Sequence, residues 1–124
     1  MSASKWKPYP DYKKVEIKWK SSIPYKWEKV RLRFLGKTYA GLTGKKGEDF
    51  SKESKPNFKP YIPYTNILNQ TYISKNHFDY VFMDEGERQN LAKAKDLFFL
   101  MSSESYQDLG KSSILLENID ELYL

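Results

Sequence analysis

Alternation of apolar and polar positions along the chain predicts short strands rather than long helices. Residues 28–34 alternate charged side chains with valine, leucine and phenylalanine, which is the pattern of a half-buried strand. The segments at 61–68 and 70–83 are rich in tyrosine, isoleucine, valine and phenylalanine, and these residues favour strands. The continuous apolar run at 97–101 has the length of a buried strand, and the chain after residue 113 predicts one more.

Helix and loop signals complete this pattern. Residues 84–95 hold a compact helical propensity, which Gly86 and a poor apolar face limit to about two turns. Glycines punctuate residues 36–47, where KTYAGL predicts a further strand and TGKKGED a tight loop. Polar loops are expected at 51–60 and 102–113. Many short strands with little helix predict a strand-rich α+β fold class.

The N-terminal residues 1–26 have a different composition from the rest of the chain. They hold three of the six prolines and two of the three tryptophans, spread among lysines without a useful apolar period. We expect an extended basic and aromatic N-terminal arm, followed by a single domain at 27–124. Two interpretations remain open for the arm: its rings stack on bases or lie in a protein groove, or they pin the arm onto its own domain. The rings concerned are Trp6, Tyr9, Tyr12 and Trp19.

Composition and charge limit the classes of function. A chain of 124 residues forms one ordinary domain, and the absence of cysteine excludes disulfides and thiolate metal sites. No apolar stretch has the length of a membrane span, so the expectation is a cytoplasmic protein. Residues 1–59 hold 16 Lys and Arg against 6 Asp and Glu, a net charge of +10, whereas residues 60–124 hold 5 against 10, a net charge of −5. This asymmetry indicates a basic surface that faces a polyanion or an acidic protein, although a solvated lysine-rich surface explains it equally well.

Groups that could perform catalysis are scarce. His77 is the single histidine, and its neighbours favour a place at a strand edge or turn. No cluster of histidine, cysteine and carboxylate has the spacing of a metal site, so neither catalysis nor a cofactor is expected. The segment GLTGKKGED at 41–49 lacks the spacing of a nucleotide P-loop. It fits either an exposed turn or a loop that presents hydroxyl, amide and ammonium donors to phosphates and base edges.

Several motifs, in a fixed order, resemble the target recognition domain of type I restriction-modification specificity (S) subunits. These are IPYKWEKVRLRFLGKTYAGLTGKKGEDF, YIPYTNILN, FDYVFMDEGERQN, DLFFLMSSESYQDLGKSSILLE and the final LYL, and together with an upstream leader they extend over about residues 8–124. The resemblance implies a partial target recognition domain of the DNA methylase specificity domain type. It also implies a protein that reads one half-site of double-stranded DNA without catalysing a reaction. Methylation and cleavage would belong to the separate modification and restriction subunits.

The resemblance assigns DNA contact to three places in the chain, namely the GLTGK loop with the lysine after it, a strand-end asparagine and the SSE loop. Lysines would neutralise phosphates, while asparagine and serine side chains would read base edges. The predicted DNA-binding residues are Gly41, Thr43, Gly44, Lys45, Lys46, Asn66, Ser102, Ser103 and Glu104.

The chain also departs from the family pattern. A family member would continue beyond LYL with further strands, spacer helices and a second recognition domain, so the sequence is expected to be a truncated or split S subunit. An incomplete domain leaves sheet edges and apolar surface uncovered. The alternative function is therefore a protein-interaction fragment that dimerises, complements another S-subunit fragment or associates with other restriction-modification subunits.

Overall fold

The computed structural model describes residues 6–124, and the chain divides into two compact units, Met1–Thr38 and Tyr39–Leu124. The boundary follows Thr38, whereas the sequence placed it after residue 26. Short strands dominate the described residues and one α-helix of six residues accompanies them, so the strand-rich α+β class is confirmed. Among residues 6–124, no helix has the length and apolar character needed to span a membrane.

The first unit contains a β-hairpin where the sequence predicted an extended arm without strands. Strand β1 (Tyr12–Ile17) pairs antiparallel with β2 (Lys20–Pro24), and Lys18 and Trp19 form the turn between them. Half-buried positions alternate along β1, which is the period of a strand with one covered face. Because Lys13 occupies the first of the three half-buried positions, only Val15 and Ile17 show the alternation in the sequence. The arm prediction is therefore wrong for this segment.

Residues 28–34 do not form the predicted strand. They lie in an exposed segment that contains only a single turn of 3-10 helix at Leu32–Phe34. Val30, Leu32 and Phe34 remain between 47% and 69% exposed, because no neighbouring strand pairs with this segment. Alternation therefore marked a potential strand that has no partner within the described chain. KTYAGL likewise has no assigned strand.

An antiparallel sheet of three strands organises the first half of the second unit. Its order is β3 (Phe50–Ser51), then β5 (Asp79–Phe82), then β4 (Phe58–Tyr61). Val81 lies in the central strand and is fully buried, as expected for a β-branched side chain with neighbours on both sides. The prediction of a strand within 70–83 is confirmed for its second half.

Helix occurs in a different place from the one that the sequence predicts. The segment at 61–68 leaves the sheet after Tyr61 and forms α1 (Tyr64–Asn69), directly after Pro63. In contrast, residues 84–95 form turns and extended chain, with Gly86 at φ +79° and Lys95 at φ +73°. Left-handed backbone at both positions is incompatible with a continuous right-handed helix.

A second hairpin closes the unit. Strand β6 (Leu97–Phe99) pairs antiparallel with β7 (Ser112–Ile114) across the long loop that the sequence predicted. The strand at 97–101 is confirmed in part, but it is not buried throughout: Phe98 and Leu100 point inward while Met101 is 84% exposed. The core of the unit gathers apolar side chains from six separate segments, which are Ile62, Ile73, Ala92, Phe98, Leu115 and Leu122.

The last residues of the chain pair with two distant segments. Tyr123 forms a parallel bridge with Tyr61 and an antiparallel bridge with Leu91. Backbone hydrogen bonds from Ile62 N to Tyr123 O (3.1 Å) and from Ala92 N to Leu122 O (2.8 Å) hold the three segments side by side. Residues 122–124 therefore lie between residues 60–62 and residues 90–92.

Candidate nucleic-acid interface

Residues 41–46, which we call the glycine loop, form an irregular surface segment. Gly41, Thr43, Gly44 and Lys46 are exposed. Gly44 has φ +71°, a left-handed conformation that glycine adopts without steric cost. The loop thus presents the hydroxyl group of Thr43 and the ammonium group of Lys46 to solvent, and both are donors for the acceptors of nucleic-acid backbones and base edges.

Two side chains that the site prediction did not include hold the glycine loop in place. Gln89 forms two hydrogen bonds with the backbone of Thr43: its Oε1 accepts from Thr43 N (3.2 Å) and its Nε2 donates to Thr43 O (2.8 Å). Asn90 Nδ2 donates to Ala40 O (2.9 Å). We call Gln89 and Asn90 the loop anchor. The sequence showed this pair only as one motif of the resemblance, because nothing in its composition indicates which loop it contacts.

Lys45 points inward, so its predicted role in phosphate contact is corrected. Its Nζ donates to Glu87 Oε2 (2.6 Å) and to Phe82 O (2.5 Å), and its side chain is only 7% exposed. An ammonium group engaged in this way fixes the base of the glycine loop instead of facing a ligand. Lys46 is the exposed cation of the loop, and no ion pair found within residues 6–124 includes it.

Glu87 connects the loop anchor with Lys45. Its carboxylate accepts hydrogen bonds from Gln89 Nε2 (2.9 Å), Lys45 Nζ (2.6 Å) and Asp84 N (3.0 Å). These donors, led by Gln89 and Lys45, lower the pKa of Glu87 from 4.5 to about 2. The ionised form of Glu87 is therefore favoured, and the hydrogen bonds that surround the glycine loop depend on its negative charge.

Acidification is expected to weaken this network. Because the folded-state pKa of Glu87 is depressed, its stabilising contribution is complete above its ordinary pKa of 4.5 and is lost as the pH falls towards about 2. The thermal unfolding midpoint should therefore fall across this pH range, and it should fall less in Glu87→Gln, which cannot ionise. Equal pH dependence of the two proteins, measured by circular dichroism, would contradict the assignment.

Asn66 is an interior residue of α1, and its predicted contact with DNA is also corrected. Its side chain is 1% exposed. Its Nδ2 donates to Ser74 O (3.0 Å) and His77 O (3.1 Å), while its Oδ1 accepts from Ser74 N (3.0 Å). The Asn66 amide thus supplies hydrogen-bond partners to the backbone of residues 74–77, and the polar atoms of this side chain do not face solvent.

Residues 102–105, which we call the serine loop, directly follow the apolar run at 97–101. Ser102 and Glu104 are exposed, and Ser103 is half-buried. The Ser103 hydroxyl lies 3.1 Å from the Tyr64 hydroxyl and accepts a hydrogen bond from Ser105 N (3.2 Å). Ser103 therefore fixes the loop against the start of α1, whereas Ser102 and Glu104 remain free to meet a ligand.

Both loops are attached to the same end of the parallel pair formed by residues 60–62 and 122–124. Leu42 N donates to Leu124 O (3.1 Å), which attaches the glycine loop where the second of these segments ends. Residues 60–62 lead at their C-terminal end into Tyr64, whose hydroxyl group contacts the serine loop. Because parallel segments run in the same direction, the two attachments lie at one end of the pair.

The part of the chain that the structure describes contains no group of three or more histidine, cysteine, aspartate and glutamate residues placed to hold a metal ion. His77 is exposed, and its backbone nitrogen donates to Ser74 O (3.2 Å).

Comparison with known proteins gives one partial similarity. No family model matches the chain, and no solved structure matches it. Two proteins named tRNA-specific 2-thiouridylase MnmA, from Limosilactobacillus reuteri strain DSM 20016 and from L. reuteri subsp. reuteri strain JCM 1112, are each 32% identical over 114 residues. The matched region takes in 82% of this chain but only 30% of each relative, so the chain spans less than a third of their length.

Proposed function

We propose that this chain binds double-stranded DNA through the glycine loop and the serine loop, as the reading part of a type I restriction-modification specificity subunit. The observation that carries the proposal is the attachment of both loops to one end of the same parallel pair, with exposed donors on each. In this function the chain performs no chemistry and needs no cofactor, since methylation and cleavage would belong to partner subunits.

Each exposed loop residue has a defined role in the proposed complex. Lys46 neutralises a phosphate, and the exposed Gly44 allows the loop to approach the DNA backbone closely. Thr43 and Ser102 offer hydroxyl groups that donate to or accept from base edges. Glu104 accepts from the exocyclic amine of cytosine, which is the usual role of a carboxylate in the major groove.

Affinity for duplex DNA should fall steeply with salt, and Lys46→Gln should weaken it at every salt concentration. Removing one phosphate contact is expected to reduce the slope of log affinity against log salt by about 1. The measurement is fluorescence anisotropy with a labelled duplex of random sequence, from about 50 to about 200 mM salt. Lys75→Gln is the matched control, because Lys75 pairs with Glu117 and neither residue belongs to the two loops. Absence of duplex binding at the lowest salt, or an equal effect of the control, would overturn the proposal.

RNA is the competing ligand for the same surface, because the matched relatives are named as tRNA-specific proteins. An RNA stem-loop of equal length therefore belongs in the same titration. The proposal expects the duplex DNA to bind more tightly than the RNA at equal salt. Tighter binding of the RNA, weakened by Lys46→Gln, would assign the loops to RNA.

Protein association is the second candidate function, and the exposed apolar segment in the first unit favours it. Leu32, Phe34 and Leu35 are each between 66% and 70% exposed. Contiguous exposed apolar residues are typical of surfaces that a partner covers. Sedimentation of the same sample, with and without Leu32→Ser and Leu35→Ser, distinguishes a monomer that binds DNA from an assembly held together by this segment.

A further inference from the structure

Basic charge is concentrated in the first unit and is not neutralised there. Residues 6–38 hold ten Lys and Arg against three Asp and Glu, whereas residues 39–124 hold 10 against 13. All five ion pairs found in the described chain lie in the second unit. The cations of residues 6–38 therefore remain available to a polyanion, and the excess of positive charge attracts one.

The turn of the first hairpin carries an exposed indole between two lysines. Lys18 and Trp19 form the turn, and Lys20 begins β2 directly after it. All three side chains are exposed, and Trp19 is 83% exposed. A large aromatic side chain left in water at the end of a hairpin contributes little to the stability of its own fold.

The base of the hairpin, in contrast, is packed. Ile23 is buried, and Tyr25 N donates to Asp11 O (2.9 Å) beyond the paired strands. The rings of Tyr9 and Trp27 meet edge to face with centroids 5.6 Å apart. Tyr9 and Trp27 thus contact each other near the base of the hairpin, whereas Trp19 lies exposed at its turn.

The chemistry of the turn fits unpaired nucleotides. An indole face stacks on a nucleobase whatever its identity, but only where that base face is not already covered by its neighbours in a duplex. The lysines directly before and after Trp19 in the sequence supply ammonium groups that can neutralise phosphates of the same strand. A membrane surface also attracts lysine and tryptophan, but it favours an amphipathic helix with one broad apolar face, and this turn has a single ring.

We propose that the hairpin turn, Lys18 to Lys20, is a binding site for single-stranded nucleic acid, with Trp19 stacked on an unpaired base and the two lysines on adjacent phosphates. This site is separate from the two loops and does not depend on duplex reading. DNA and RNA strands share the chemistry that the turn recognises, namely exposed base faces joined by phosphates.

The test is a titration of the full chain with oligothymidine and oligouridine of about 15 nucleotides, which form no stable duplex. Binding should quench tryptophan fluorescence, and Trp19→Ala should lower the affinity about tenfold, because stacking on one base contributes on the order of 1–3 kcal/mol. Trp19→Phe should restore most of the affinity. Replacement of both Lys18 and Lys20 by glutamine should reduce the salt slope by about 1.4, since each phosphate contact on a single strand contributes about 0.7.

Tyr106→Ala is the matched control, because Tyr106 is 93% exposed in the second unit and should not affect binding. Unchanged affinity in Trp19→Ala for both strands would overturn the proposal. So would binding to vesicles that contain phosphatidylserine without binding to either strand. Failure of the duplex proposal appears in the titration with duplex DNA, and failure of this one appears in the effect of Trp19→Ala on the single strands, so the two give different results.

Discussion

Asn66→Ala is expected to destabilise the protein by about 2–4 kcal/mol, because it removes a buried amide and its three hydrogen bonds to the backbone of the following segment. Ser74 N and His77 O would lose the partner that Asn66 supplies, while Ser74 O would keep only its hydrogen bond from His77 N. Chemical unfolding in urea, followed by circular dichroism, measures the loss. Asn69→Ala is the control, since Asn69 belongs to the same helix but is exposed.

The same variant separates an interior role from a role in DNA contact. If Asn66 holds the turn after α1, the folded fraction of Asn66→Ala should bind duplex DNA as the unmodified protein does. If Asn66→Ala had unchanged stability but reduced affinity for duplex DNA, Asn66 would belong to the binding surface, which would contradict its buried position.

Combined replacement of Gln89 and Asn90 by alanine is expected to weaken duplex binding about tenfold. The change removes the hydrogen bonds from the loop anchor to Thr43 and Ala40 but no charge. A loop released in this way must be ordered again on binding, and ordering one residue costs roughly 1–2 kcal/mol, which corresponds to about a tenfold change in affinity. Because no phosphate contact is lost, the salt slope should stay the same.

Anisotropy titrations of this double variant beside Lys46→Gln distinguish the two ways in which the glycine loop contributes. The double variant should lower the affinity at constant slope, whereas Lys46→Gln should lower the slope. Asn69→Ala removes an exposed amide of α1 that belongs to neither loop, and it serves as the control. Unchanged affinity in the double variant would mean that the loop does not contact the duplex.

Local signals in the sequence predicted loops better than strands. The glycine and lysine run at 41–49 and the polar segment after residue 101 lie in surface loops, because turn-forming residues act through their own backbone. The strand expected at 28–34 does not form, because a strand needs a neighbouring strand to pair with. The alternation of apolar and polar residues does not show whether such a neighbour exists. The helix expected at 84–95 failed because Glu87, Gln89 and Asn90 bond with other segments, which only the tertiary structure reveals.

The direction of individual polar side chains could not be obtained from the sequence either. Lys45 and Lys46 are adjacent and chemically identical, yet the first is almost enclosed beside Glu87 and the second is exposed. Asn66 and Asn69 differ in the same way within one helix. In each pair, the difference arises from the backbone direction at one position and from a partner distant along the chain.

The pairing of Tyr123 with Tyr61 and Leu91 has a consequence for biosynthesis. Contacts between residues so far apart in sequence form late and slow folding, because the long intervening chain must be closed first. On the ribosome, residues 60–62 and 90–92 must wait until residues 122–124 have left the exit tunnel, and Leu42 gains its hydrogen bond to Leu124 at the same moment. The second unit should therefore complete its fold, and with it the proposed binding surface, only after synthesis of this region is complete, and nascent chains that stop earlier should be sensitive to protease.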